Sequence, residues 1–180
     1  MKIRLLVLLF GVLSMSDSVA ANTDGQSAEA VAWEVLGDMT YTDDGHTFHA
    51  TFSPRVKRLE DADIIMAGYM IPIEPTEKHS HFVMTGLPLV GCTFCGGDGK
   101  PETYVEVKMV KPLRFSYDPI VLRGKLTLTA DNDMGLFYTL KKARPASLPK
   151  ETIEKLLPPV TEPAYQLKIE EKLEGGEQTP

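Results

Sequence analysis

The chain has 180 residues, with 19 basic and 25 acidic side chains and a net charge of −6. Neutralising a phosphate backbone takes a basic face, so this balance argues against nucleic acid as the partner. The length suits one domain with a single core, and two cysteines leave a single disulfide or a thiol site open.

The first twenty residues read as an export signal. Lys2 and Arg4 precede the apolar run Leu5 to Leu13, and Ser18-Val19-Ala20 has the small-x-small pattern of a cleavage site. The apolar run is too short to span a bilayer, which takes about 20 residues. No cysteine follows it, which argues against a lipoprotein anchor. Cleavage after Ala20 would remove Lys2, Arg4 and Asp17, leaving 17 basic and 24 acidic residues, a net charge of −7. The expectation is a periplasmic protein with no membrane insertion once the signal is gone.

Residues 21–29 form a polar leader. Ala30 to Leu36 carries the single tryptophan, Trp33, whose simplest role is to plug one end of a core. His46 to Phe52 alternates, with Phe48, Ala50 and Phe52 on one face and His49 on the other, as a half-buried strand does. Arg55 to Asp63 is charged, with Val56 and Leu59 as its buried points, and reads as the approach to a turn. Ile64 to Ile73 is the most apolar segment after the signal; Gly68 marks a bend and Pro72 the strand's end. Ser80 to Thr85 alternates again, and in a continuous strand His79 and His81 share a face.

Tyr104 to Val110 places Val105, Val107 and Met109 on one side. Ile120 to Ala130 is a long strand with Gly124 at its centre. Asp131-Asn132-Asp133 reads as a turn that returns the chain through Gly135 to Lys142. Thr152 to Leu157 suits one short helix, and the Pro/Gly-rich end reads as an unpacked tail. The expected fold is all-β and mainly antiparallel: a small OB-like barrel of five or six strands over residues 30–145, followed by a short helix and tail over 146–180. Central glycines favour a closed barrel because they let a strand turn a corner; a sandwich is the competitor.

Chemistry-bearing residues concentrate between His79 and Glu102. Cys92-Thr93-Phe94-Cys95 is followed by Gly96 and Gly97, so both thiols belong to one tight inter-strand loop. Two thiolates on a tight turn form the usual half of a tetrahedral zinc site, and His81 and His79 are the candidate completing ligands. Copper(I) suits the same thiolates, with Met84 near in sequence. Redox chemistry of the thioredoxin kind needs a helix after the pair, and Gly-Gly-Asp-Gly-Lys-Pro cannot start one. A local disulfide is the structural alternative, though closing so short a loop stabilises little by chain entropy. Asp98 and Glu102 flank the loop as solvated acids or outer partners of a metal ligand. No nucleophile elbow, phosphate loop or zinc-protease motif is present, and the chain reads as a non-enzyme.

The segments IIMAGYMIPIE, HFVMTGLPLVGCTFC, TYVEVKMVKPL and IVLRGKLTL, in that order, resemble a family of small bacterial exported proteins termed domain of unknown function 3299. The likeness spans roughly Ala32 to Ala143. It implies an OB-like barrel and, because the family's genes often accompany an ABC exporter-like transporter and zinc-related exported proteins, a metal-handling accessory role. Family members carry Cys-x-His and a proline run where this chain has Cys92-Thr93-Phe94-Cys95. The expected function is therefore a periplasmic accessory protein that binds a transition metal, zinc before copper, beside an ABC transporter or another envelope protein. The alternative is an envelope protein-interaction module with a structural disulfide and no metal.

Overall fold

The computed structural model describes residues 28–88 and 100–159. β1 (Glu29–Ala30) and the single-turn helix α1 (Trp33–Leu36) lead into the hairpin β2 (Met39–Asp43) and β3 (Phe48–Phe52). A second single turn, α2 (Pro54–Lys57), has proline at its start. Its Ser53 side chain accepts a hydrogen bond from the Val56 N–H at 3.2 Å, so a capped helix stands where the charged run suggested only the approach to a turn.

The long strands follow: β4 (Asp63–Pro72), β5 (Lys78–Thr85), β6 (Tyr104–Arg114) and β7 (Ile120–Leu128). The short β8 (Asp131–Asn132), β9 (Tyr138–Pro145) and the helix α3 (Lys150–Leu156) complete the described chain. The order β4-β5-β6-β9-β7 returns to β4, which closes a five-stranded barrel, and β1 lies parallel on β4 as an extra strand. All neighbours in the barrel are antiparallel except β6 and β9. A closed Greek-key barrel of five strands whose third and fifth members run parallel is the OB-type arrangement.

Alternation along each strand fills the barrel. Met66 and Met70 from β4, Phe82 and Met84 from β5, Val105 and Val107 from β6, Leu122 and Leu126 from β7 and Leu140 from β9 are fully buried. Trp33 plugs one end, as its size suggested, and its indole N–H donates to the Ala67 carbonyl at 2.7 Å. Phe52, Phe137 and Tyr138 pack together beside it, with ring centroids 5.7 and 6.4 Å apart. The Tyr138 hydroxyl donates to the Leu36 carbonyl at 2.6 Å. Asp131 and Asn132, expected in a turn, pair with His49 and Phe48 and so give β2 and β3 a third strand outside the barrel.

Both strand-centre glycines mark places where the barrel bends. β4 pairs with β7 up to Gly68 and with β5 from Tyr69 onward. A Cβ at Gly68 would lie 2.7 Å from both Met84 Cγ and the Thr85 carbonyl oxygen. At Gly124 the β7–β9 register slips by one residue. The extra residue is Lys142, whose φ is +52°, and a Cβ on Gly124 would lie 2.8 Å from the Lys141 carbonyl oxygen. Backbone cannot yield there as a flexible side chain does. Gly124→Ala should therefore cost about 1–3 kcal/mol, read as a lower urea midpoint at unchanged slope; an unaltered midpoint would mean that the bulge tolerates a side chain.

Candidate functional site

The hairpin of β5 and β6 carries most of the residues singled out in the sequence. Its strands are in register from His81↔Lys108 to Thr85↔Tyr104. The connecting loop therefore leaves from one end of the barrel and returns to the strand beside it. Gly86 begins this loop, wedged where a Cβ would come within 2.8 Å of Trp33 and Pro158. Cys92, Cys95 and Asp98 lie outside the described residues.

His79 and His81 do not share a face as a continuous strand would have it. Between them the partner jumps from Leu113 to Lys108, so one residue of β5 stands against four of β6. A bulge of this kind swings the strand and resets which side each residue faces. His79 ends up 3% exposed, with Nδ1 3.5 Å from the Thr76 hydroxyl. His81 lies on the outer wall, where its Nε2 donates to Glu106 Oε1 at 2.7 Å.

Glu106 is the hub of that outer network. Lys108 Nζ lies 3.2 Å from the same oxygen, and Thr139 of β9 donates to Oε2 at 3.0 Å. Burial alone would push this carboxyl up, but the hydrogen bonds from His81, Lys108 and Thr139 outweigh it and hold it below the usual carboxylate range. Glu106 thereby fixes the His81 ring and leaves Nδ1 without a partner among the described residues. A histidine held through one nitrogen by a carboxylate is the common preparation for coordinating a metal through the other. Among the described residues, however, no group of three or more His, Cys, Asp or Glu is placed to hold a metal ion. At the foot of the loop, Glu102 Oε2 is buried without a hydrogen-bond partner.

A second cluster had no counterpart in the sequence reading. His49 is a surface residue, as expected, yet it ties the turn after β2 to β8. Its Nδ1 lies 2.7 Å from Asp131 Oδ1 and its Nε2 3.2 Å from Asp44 Oδ2. Thr47 adds a hydrogen bond to Asp133 at 3.0 Å. The acids are five and 82 residues from His49, so only the pairing of β3 with β8 reveals the cluster.

No protein-family model matches the chain, and no curated protein matches it. Among solved structures, the chain is similar to a DUF3299 family protein from Pseudomonas aeruginosa PAO1. The TM-score is 0.43 and the identity 14%, over 69% of this chain and 99% of that one. The sequence segments resemble that same family. No helix among the described residues is long and apolar enough to cross a membrane.

The hydrogen bond to Asp131, and after it the one to Asp44, raises the His49 pKa above its ordinary value of 6.5. A raised pKa means that the pairing stabilises the fold fully below that ordinary value and fades as pH rises through the folded one. Asp44, accepting from the Thr47 and His46 backbone and then from His49, is held down at about 2 against an ordinary 3.8. Its contribution is present above the ordinary value and is lost as pH falls through about 2. An NMR titration should find His49 protonated to higher pH than a free imidazole, and Asp131→Asn should bring it down. A titration unchanged by that substitution would mean that the contact does not persist in solution.

Proposed function

We propose that the protein is a non-enzymatic, exported accessory protein of the cell envelope that binds a transition metal, zinc before copper, at the Cys92/Cys95 loop and serves a transporter in the same compartment. The observation that carries this reading is the pairing of Thr85 with Tyr104, which ties both ends of the thiol-bearing loop to the barrel. Two thiolates three positions apart on such a loop are half of a tetrahedral site.

The described geometry narrows the other half. His79 is buried with Nδ1 against the Thr76 hydroxyl, which favours His81 over it as the completing ligand. His81 is held by Glu106 through Nε2, with Nδ1 unpartnered among the described residues. Four residues separate it from Thr85, about 13 Å along a strand, and the seven residues from Thr85 to Cys92 reach roughly 24 Å when extended. The chain is thus long enough to bring a thiolate back to His81. A zinc ion there would draw the sulfurs and the imidazole around itself, and Glu106 would strengthen the imidazole as a donor.

Metal analysis of protein purified with its thiols reduced should find bound zinc, and the Cys92→Ser, Cys95→Ser double variant should lose it. Glu106→Gln should weaken zinc roughly 10- to 100-fold while the strand signature in circular dichroism persists. Equal metal content in parent and double variant would remove the proposal. A native protein without titratable thiols would favour the disulfide-bonded interaction module.

A further inference from the structure

The barrel wall carries a charge opposite to that of the chain. In β5, β6, β7 and β9 Glu106 is the sole acidic residue. β6 alone supplies Lys108, Lys111 and Arg114, and β9 supplies Lys141, Lys142 and Arg144. Acids return in the connections, as Glu74 and Glu77 before β5 and Asp118 after β6.

Register makes the crowding specific. Lys78 stands directly across from Arg114, Arg123 across from Arg144, and Lys125 across from Lys141. Where β6 meets β9, the register slip sets Lys108 against both Lys141 and Lys142. Like charges facing one another destabilise a sheet, and here they recur on three strand pairs, β5–β6, β7–β9 and β6–β9. Arg123 is answered by Asp63, through contacts of 2.6 to 3.1 Å, and Lys108 by Glu106. Lys78, Lys111, Arg114, Lys125, Lys141 and Arg144 have no ion-pair partner among the described residues. Asp63, directly across β4–β7 from Lys125 and held down first by hydrogen bonds from Arg123 and then by the charges of Arg123, Arg144 and Lys125, offsets part of this repulsion. Lys78, Arg114 and Lys141 are left facing like charge with no carboxylate paired to them among the described residues.

The shape of the field distinguishes between anions. The cations of β6 and β7 flank those of β9 on one side of the barrel and do not converge on one point, which suits many separate anionic groups better than one phosphate. Apolar side chains are interleaved with them. Val110, between Lys108 and Lys111, is 56% exposed, and Tyr117, three residues after Arg114, is 77% exposed with its ring edge on Phe115 at 4.8 Å. A soluble polyanion without bases, such as a sulfated sugar chain, has no use for these groups, whereas the boundary of headgroups and acyl chains accepts both an aromatic ring and cations.

We infer that the outer wall of the barrel formed by β6, β9 and β7, with Tyr117 at its end, is a docking surface for an anionic phospholipid bilayer. Docking is peripheral: the cations lie over the headgroups and Tyr117 enters the interface. Lys141 and Lys125 then face lipid phosphates in place of one another. Apart from Lys108, which is paired with Glu106, none of these cations belongs to the His81–Glu106 network, and docking does not require a metal.

Sedimentation with vesicles tests it, using the full chain as the producing cell processes it, in one preparation scheme for all variants. The protein should bind phosphatidylcholine–phosphatidylglycerol vesicles, bind phosphatidylcholine vesicles far less, and be released by salt. At about one decade per 1.4 kcal/mol and the usual contribution of a cation near an anionic surface, Lys141→Gln with Arg144→Gln should lower partitioning roughly 30-fold. Arg55→Gln with Lys57→Gln on α2 makes the same change in net charge elsewhere and should leave binding intact. Tyr117→Ser should weaken the binding that survives high salt. Binding that is equal on neutral vesicles, equal in both paired variants, or confined to heparin with none to vesicles would overturn the inference. Cys92→Ser, which would abolish the proposed metal site, should not alter vesicle binding.

Discussion

Barrel closure depends on β4 changing partners between two consecutive residues. Up to Gly68 its hydrogen bonds go to β7, and from Tyr69 they go to β5. One strand can serve both neighbours only if it coils sharply at the switch, and Gly68 lets Met84 and the Thr85 carbonyl come closer than any side chain would permit. Ala67, just before the switch, offers its carbonyl to Trp33. The interaction that plugs the end of the core thus also holds the bend. Closure leaves the barrel without an open edge, and it places the loop between β5 and β6 at the end sealed by Trp33.

Much of this was legible because it is local. Alternation marked the two faces of β3, β5 and β6, apolar content marked β4, and Gly68 and Gly124 marked the corners by being glycine where strands otherwise favour large side chains. What escaped the reading was register. Whether His79 and His81 share a face depends on how many residues of β6 stand against Ser80, and no residue near the histidines encodes that number. The slip at Lys142 is of the same kind: a lysine at positive φ has no sequence signature, while the Gly124 opposite it does. The α2 turn is a different case, since Ser53 followed by Pro54 is a recognisable helix start, masked by the charged residues around it.

Net charge was the least informative of the global quantities. The sum of −6 conceals two populations. Asp43, Asp44, Asp131 and Asp133 gather around the three-stranded sheet, where His49 and Thr47 tie part of that charge into hydrogen bonds. The cations gather on the barrel wall, where pairing sets like against like. An acidic total weakens any partner that senses the molecule from afar, yet within a Debye length of roughly 8 Å a surface experiences only what faces it. The acidic balance is therefore compatible with an anionic partner on the wall, provided the molecule presents that side.

The hairpin of β5 and β6 joins both candidate surfaces while keeping them apart. Lys78 and Thr85 are its two ends, seven residues or about 23 Å along the strand. A metal held at His81 would lie about 10 Å from Lys78 along the strand, at about the Debye length, so its charge would reach that end only weakly. Coupling would have to be mechanical, through the pairing that runs from Thr85↔Tyr104 to Lys78↔Arg114, and the bulge between His79 and His81 interrupts it midway. An interrupted ladder can adjust on one side without shifting register on the other. His81 and Glu106 lie on the loop side of the bulge, whereas Lys111 and Arg114 lie beyond it. The same irregularity that separates the two histidines thus separates the end of the hairpin proposed to hold an ion from the end proposed to face lipid.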